Sequence, residues 1–200
     1  MSINLQKGQR ISLAKEAGAR LSRIYMGLGW GMKSVVSKGF LGFGGGAKAV
    51  AVDLDASCLM FDGAGNLVDQ VWFRQLQSRC GSVQHSGDDR SGGGNADVEN
   101  ERITIDLNQA PTTVQSLIFT VNSFSGESFE GIPNAFCVVV DADAGKEIAR
   151  FNLSLEGGHF TGLIMTKLYR HDGDWKVQAI GDHGEGRTFM DLLPVIRPHL

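Results

Sequence analysis

From residue 49 onward the chain repeats one device: a short apolar or β-branched run, then a turn rich in Gly and Asp. "AVAVDLDASCLMF" (49–61) and "LVDQVWF" (67–73) flank "DGAGN" and predict a β-hairpin. "RITIDL" (102–107) alternates and puts Ile103, Ile105 and Leu107 on one face. "SLIFTVNSF" (116–124) and "AFCVVVDA" (135–142) read as strands, and "EIARFNLSL" (147–155) alternates again after "DADAGK". "GLIMTKLYRH" (162–171) and "DWKVQAIG" (174–181) meet at "DGD", a second hairpin signal. At least eight strands at near-regular spacing predict an all-β chain, a two-sheet β-sandwich with long Gly-rich and acidic loops and little helix. The segment "RTFMDLLPVI" (187–196) has room for one or two helical turns before Pro194 stops it.

A chain of 200 residues with 42% hydrophobic content fits one domain over 1–200 with a real core. The net charge of −3 argues against general nucleic-acid binding, which needs a basic stripe. The start, "MSINLQKGQRISLAKE", is charged where a signal peptide is apolar, so a cytoplasmic, reducing location is expected. Cys58, Cys80 and Cys137 form no CxxC pair, and the first and last sit in apolar runs as core residues. The five histidines are scattered and are expected at the surface.

One segment breaks the pattern. "GLGWGMKSVVSKGFLGFGGGAK" (27–48) mixes Gly, aromatics and Lys, and is too interrupted to span a bilayer. It reads either as a Gly/Lys-rich loop inserted at about 31–48 or as a flap presenting Trp30, Phe40 and Phe43 to a protein or an anionic membrane surface. The flap reading gives an alternative function, a metal-free interaction module.

The stretch "DDRSGGGNADVENE" (88–101) raises the main chemical question. Asp88, Asp89, Asn95, Asp97, Glu99, Asn100 and Glu101 offer the oxygen donors that calcium takes, and glycines 92–94 let the backbone double back. Gathered carboxylates repel one another unless a cation or a proton intervenes. A solvated acidic loop and a cation-binding loop both fit this composition. The EF-hand spacing fails, because Arg90 and Gly92 fall where ligands belong. Asp53 and Asp55, in "DLD", share a face of a strand, either exposed at its end or sharing a cation. Asp141 and Asp143, in "DAD", are better explained by a turn. No GxSxG, HExxH or Walker A motif is present, "GFGGGAK" lacks the GK[ST] ending, and Cys80 with His85 has no third member, so no enzyme is expected.

Several blocks together resemble the TerD-like family of tellurium-resistance and general stress proteins. "INLQKGQRISLAKE", "GLGW" (27–30), "DLDAS" (53–57), "HSGDDRSGGG" (85–94), "EIARFNLS" (147–154) and "KLYRHDGDWKVQAIG" (167–181) are similar to its successive landmarks. The resemblance covers most of the chain. It implies a β-sandwich that binds one or two Ca²⁺ ions through acidic loops, with a non-catalytic role in resistance to tellurite and other stresses. It also implies assembly with other tellurium-resistance proteins at the inner membrane face. Carried over by position, Asp53 and Asp55 match the two acids of the "DLDAS" block, and Asp88 and Asp89 the hallmark pair. The chain departs from the family at Gly31, where an Asp usually follows GLGW, and in "GNADVENE", where the acids are spread out. One calcium site is therefore expected to be degenerate. The ligand set read from the sequence is Asp53, Asp55, Asp88, Asp89, Asn95, Asp97, Glu99 and Glu101.

Overall fold

The computed structural model describes residues 2–36, 46–93, 98–153 and 158–200. Its strands, in chain order, are β1 (Ile3–Asn4), β2 (Arg10–Ser12), β3 (Arg23–Gly29), β4 (Lys33–Val36), β5 (Ala47–Val50), β6 (Leu54–Asp62) and β7 (Leu67–Val71), followed by β8 (Val83–His85), β9 (Glu101–Asp106), β10 (Val114–Ser123), β11 (Phe136–Asp141), β12 (Lys146–Asn152), β13 (Gly162–His171) and β14 (Asp174–Gly184). Two helices are described, α1 (Leu13–Ala17) and α2 (Phe189–Ile196). One six-stranded sheet has the order β1-β12-β11-β3-β9-β8, and the other β2-β14-β13-β10-β6-β7. The expected all-β sandwich is therefore present.

Alternation builds the core. Ile24, Met26 and Leu28 of β3 and Ile103 and Ile105 of β9 face inward from the first sheet. Leu54, Ala56, Cys58 and Met60 of β6 and Leu117, Phe119 and Val121 of β10 meet them from the second. Both expected hairpins form. In the β6–β7 turn, Asp62 Oδ1 accepts the N–H groups of Ala64 and Asn66, each at 2.9 Å. In the β13–β14 turn, Asp172 and Gly173 both take positive φ, at 53° and 76°, as a type I′ hairpin requires.

The outer face of the second sheet is also covered. Its alternate residues Leu59, Phe61, Ile118, Ile164 and Ile180 pack against Phe189, Leu192 and Ile196 of α2. The helix sits close because β14 ends in Gly184, where a Cβ would lie 2.4 Å from Leu192 Cδ2. Pro194 does not stop this helix, which continues to Ile196 and passes into a 3-10 turn over Arg197–His199. The hydrogen bond that Pro194 cannot donate would have gone to the carbonyl of Met190, on a turn open to water.

The Gly/Lys-rich segment is described at its two ends. Residues 27–29 belong to β3, and Lys33–Val36 pairs antiparallel with Ala47–Val50, so a hairpin flanks residues 37–45, which lie outside the described residues with Phe40 and Phe43. Trp30 is no surface aromatic. It is 3% exposed, and its Nε1 donates to the carbonyl of Val52 at 2.8 Å. A large ring with one polar handle is most stable in such a place.

Candidate metal centre

Three of the predicted ligands converge. A carboxylate oxygen from each of Asp53, Asp55 and Asp88 lies within 4.8 Å of the other two. Asp55 starts the outward-facing set of β6, and Asp53 precedes that strand on the same side. Asp53 is held through its backbone, whose carbonyl accepts from Phe124 N–H at 3.1 Å. Asp88 arrives from the loop after β8.

That loop is shaped by its glycines and by Asp89. Gly92, at φ 58°, faces the Trp30 indole so closely that a Cβ would lie 2.1 Å from Nε1. Asp89 Oδ1 accepts from the backbone of Ser91 at 3.0 Å, from its hydroxyl at 2.8 Å and from Gly92 N–H at 3.3 Å. Asp89 Oδ2 accepts from Asn100 Nδ2 at 3.0 Å. Burial works against ionisation of Asp89, but these donors outweigh it and hold its carboxyl below the usual range. Asp89 thus ties the loop together and turns Asp88 toward β6.

Glu101 and His85 brace the site from beneath. Both side chains are fully buried, with His85 Nε2 3.5 Å from Glu101 Oε2. Glu101 Oε2 accepts from Ala56 N–H at 2.8 Å and Oε1 from Asp89 N–H at 3.1 Å, so one carboxylate joins β6 to the loop. His85 Nδ1 accepts from Gly87 N–H at 3.0 Å, which leaves the proton on Nε2, facing the carbonyl of Ala56 at 3.3 Å. The expectation that the histidines lie at the surface fails here. The signal was in the alternation: His85 is in phase with Val83, and Glu101 with Ile103 and Ile105.

Glu99 lies apart from the cluster. Its Oε2 is 3.0 Å from Arg102 Nη2, and its Oε1 accepts from Tyr25 O–H at 3.3 Å. Asn95 and Asp97 fall outside the described residues. Asp141 makes a turn, accepting from Asp143 N–H at 3.0 Å, and Asp143 pairs with Arg23 at 2.6 Å. The turn reading of "DAD" therefore holds.

The electrostatics of the three-carboxylate cluster are strained. Burial, then Glu101, Asp53 and Asp88, push the Asp55 carboxyl up to about 7. Burial and then Asp88 raise Asp53 as well. Asp55 is 5% exposed, yet its Oδ2 accepts no hydrogen bond, and neither does Asp53 Oδ1. Orphaned, buried, mutually repelling oxygens fit a hard divalent cation, which supplies charge and takes several oxygen ligands at once.

The chain matches the TerD domain over residues 1–192. It is 45% identical over 192 residues to the tellurium resistance protein TerZ of Serratia marcescens, covering 95% of this chain and 94% of that one. It is 38% identical over 202 residues to the stress response protein SCP2 of Bacillus subtilis, covering 96% and 98%. A crystal structure of a homologue of telluride resistance protein (TerD) from Streptomyces coelicolor superposes with a TM-score of 0.66 at 18% identity, covering 85% of this chain and 94% of that chain. That likeness shows the fold.

Proposed function

This chain belongs to the TerD-domain family, and from that premise we propose that it is a calcium-binding, non-catalytic protein of the tellurite and general stress response. The observation that carries the reading is the cluster of Asp53, Asp55 and Asp88, with buried acceptor oxygens that no protein donor reaches. Asp53, Asp55 and Asp88 hold the ion. Asp89, Glu101 and His85 position the loop that delivers Asp88. Calcium supplies the positive charge that cancels their repulsion, so binding stiffens the junction between the loop and β6.

A non-catalytic role is supported by the state of His85, the imidazole that braces the cluster. It is buried, and both ring nitrogens face backbone groups. Three free cysteines support a reducing, cytoplasmic setting. No helix of the described residues is long and apolar enough to cross a membrane, so assembly with other tellurium-resistance proteins at the inner membrane face would proceed by docking. Of the three aromatics in the flap reading, Trp30 is in the core, and Phe40 and Phe43 lie outside the described residues.

Calorimetric titration tests the metal, and complementation of a strain lacking the gene tests the role. Calcium should bind wild type and not Asp55→Asn, and only wild type should restore growth on tellurite. A wild-type chain with no calcium heat and no calcium-dependent melting shift at millimolar ion would overturn the metal reading. Full rescue by Asp55→Asn would separate stress resistance from the site.

A further inference from the structure

We propose that the side-chain oxygen of Asn122 is a further ligand of the cation held by Asp53, Asp55 and Asp88, so that the ion bridges two adjacent strands. The inference rests on the cation reading above and extends it to a neutral ligand from β10.

Asn122 is the register partner of Asp55 across the β10–β6 pair. Directly opposed residues in an antiparallel pair project from the same face, with Cβ atoms about 4.5–5.5 Å apart. Asn122 is only 1% exposed, and its Oδ1 accepts no hydrogen bond. The orientation of the amide is fixed from its other end. Nδ2 donates to the carbonyl of Gly186 at 3.2 Å. On that side Asn122 pairs with Gly162, where a Cβ would lie 2.9 Å from Nδ2. With the nitrogen committed toward β13 and the Gly186 loop, the oxygen is left for the β6 side, where Asp55 stands.

Two buried acceptors thus belong to facing residues of neighbouring strands, Asn122 Oδ1 and Asp55 Oδ2, and neither has a protein donor. A cation satisfies both together. Calcium accepts amide oxygens alongside carboxylates, and its high coordination number calls for more donors than three aspartates present singly. The residue type suits the place. A fourth carboxylate would add to the repulsion and would turn lone pairs toward the Gly186 carbonyl, whereas an amide donates to that carbonyl and still offers a ligand.

Terbium luminescence lifetimes in H₂O and D₂O count the waters on a bound lanthanide, and calcium competition gives affinity. Asn122→Ala should gain about one bound water and lose roughly tenfold in calcium affinity, the scale of one charge-assisted contact. Asn122→Asp keeps an oxygen ligand and the volume, and should hold the bound-water count at the wild-type value. Thr161→Val separates ligation from packing. It removes the Thr161 hydroxyl that donates to Gly186 O at 3.3 Å and accepts from Gly186 N–H at 3.0 Å, and leaves Asn122 in place. It should lower the melting temperature while leaving hydration and affinity unchanged. If Asn122→Ala matches wild type in both readouts while Asp55→Asn abolishes binding, Asn122 is no ligand and the acidic site stands without it. If wild type takes up neither terbium nor calcium, both readings fall.

Discussion

Replacing Asp55 by Asn should stabilise the metal-free protein at neutral pH and remove its response to calcium. In the folded chain the Asp55 carboxyl holds its proton up to about 7, because it is buried and faces Glu101, Asp53 and Asp88, whereas an unfolded carboxyl releases it near the ordinary 3.8. Ionisation therefore favours the unfolded chain. The penalty is absent below about pH 4, grows as pH rises, and is complete above about pH 7. Three pKa units correspond to about 4 kcal/mol. An amide in the same place still lacks a donor for its oxygen, so about half of that should be recovered, or about 2 kcal/mol. Urea unfolding in EDTA at pH 7.5 should show Asp55→Asn with the higher midpoint, and the order should reverse by pH 4, where only the cost of the amide's unmet oxygen remains. Calcium at a hundred times its dissociation constant adds about 2.7 kcal/mol to wild type and nothing to the variant, which reverses their order. A variant less stable than wild type in EDTA at pH 7.5, or one still more stable than wild type at pH 4, would refute the reasoning.

Other perturbations read other parts of the molecule. Glu101→Ala strips acceptors from Ala56 and Asp89 in a buried place and should lower unfolding free energy by about 3 kcal/mol or more, with weaker calcium binding in the fraction that folds. Trp30→Phe leaves the carbonyl of Val52 without its donor, and should cost about 1–3 kcal/mol by denaturant titration. Leu192→Ala, deep under α2, should cost about 2–5 kcal/mol and speed amide exchange in the helix before the sheets. Among the thiols, Cys137 is pushed up to about 12 by burial, and buried Cys58 rises well above its ordinary value. Burial works in the same direction at half-buried Cys80, but hydrogen bonds from Ser78 and Ser82 outweigh it and lower its pKa. Native labelling with a thiol reagent should therefore modify Cys80 first, and a single fast equivalent is expected.

How far the sequence could be read depended on element length and on burial of polar groups. The long alternating runs were legible because packing between sheets demands a period of two. Strands β1 and β2 were not, since two or three residues carry no period and are strands only by pairing at sheet edges. Strand β3 was missed for a different reason. "RIYMGLG" carries two glycines because neighbours press on its outer face, Glu99 and Val138 at Gly27 and Phe136 at Gly29. That requirement comes from residues far along the chain. In the site, Asp53, Asp55 and Asp88 were found from charge and spacing. Glu101 read as one ligand of the acidic loop, whereas its burial with His85 depends on the backbone of Ala56, which both side chains meet. Asn122 gave no chemical signal at all, sitting in an apolar strand whose partner is fixed only by the sheet register.

The parallel pairing of β1 with β12 has a consequence for how the chain comes to be folded. Ile3 lies opposite Ala149, and Arg10 opposite Gln178, so each sheet takes an edge strand whose partner comes 146 or 168 residues later in the chain. Neither edge strand can pair until β12 or β14 has been made. Until β1 and β2 dock, the edges of β12 and β14, once formed, stay open to any extended neighbour. Such distant pairing belongs to folding on the millisecond-to-second scale. Synthesis under stress, when many chains are unfolded together, is the moment at which those open edges are most exposed to the wrong partner.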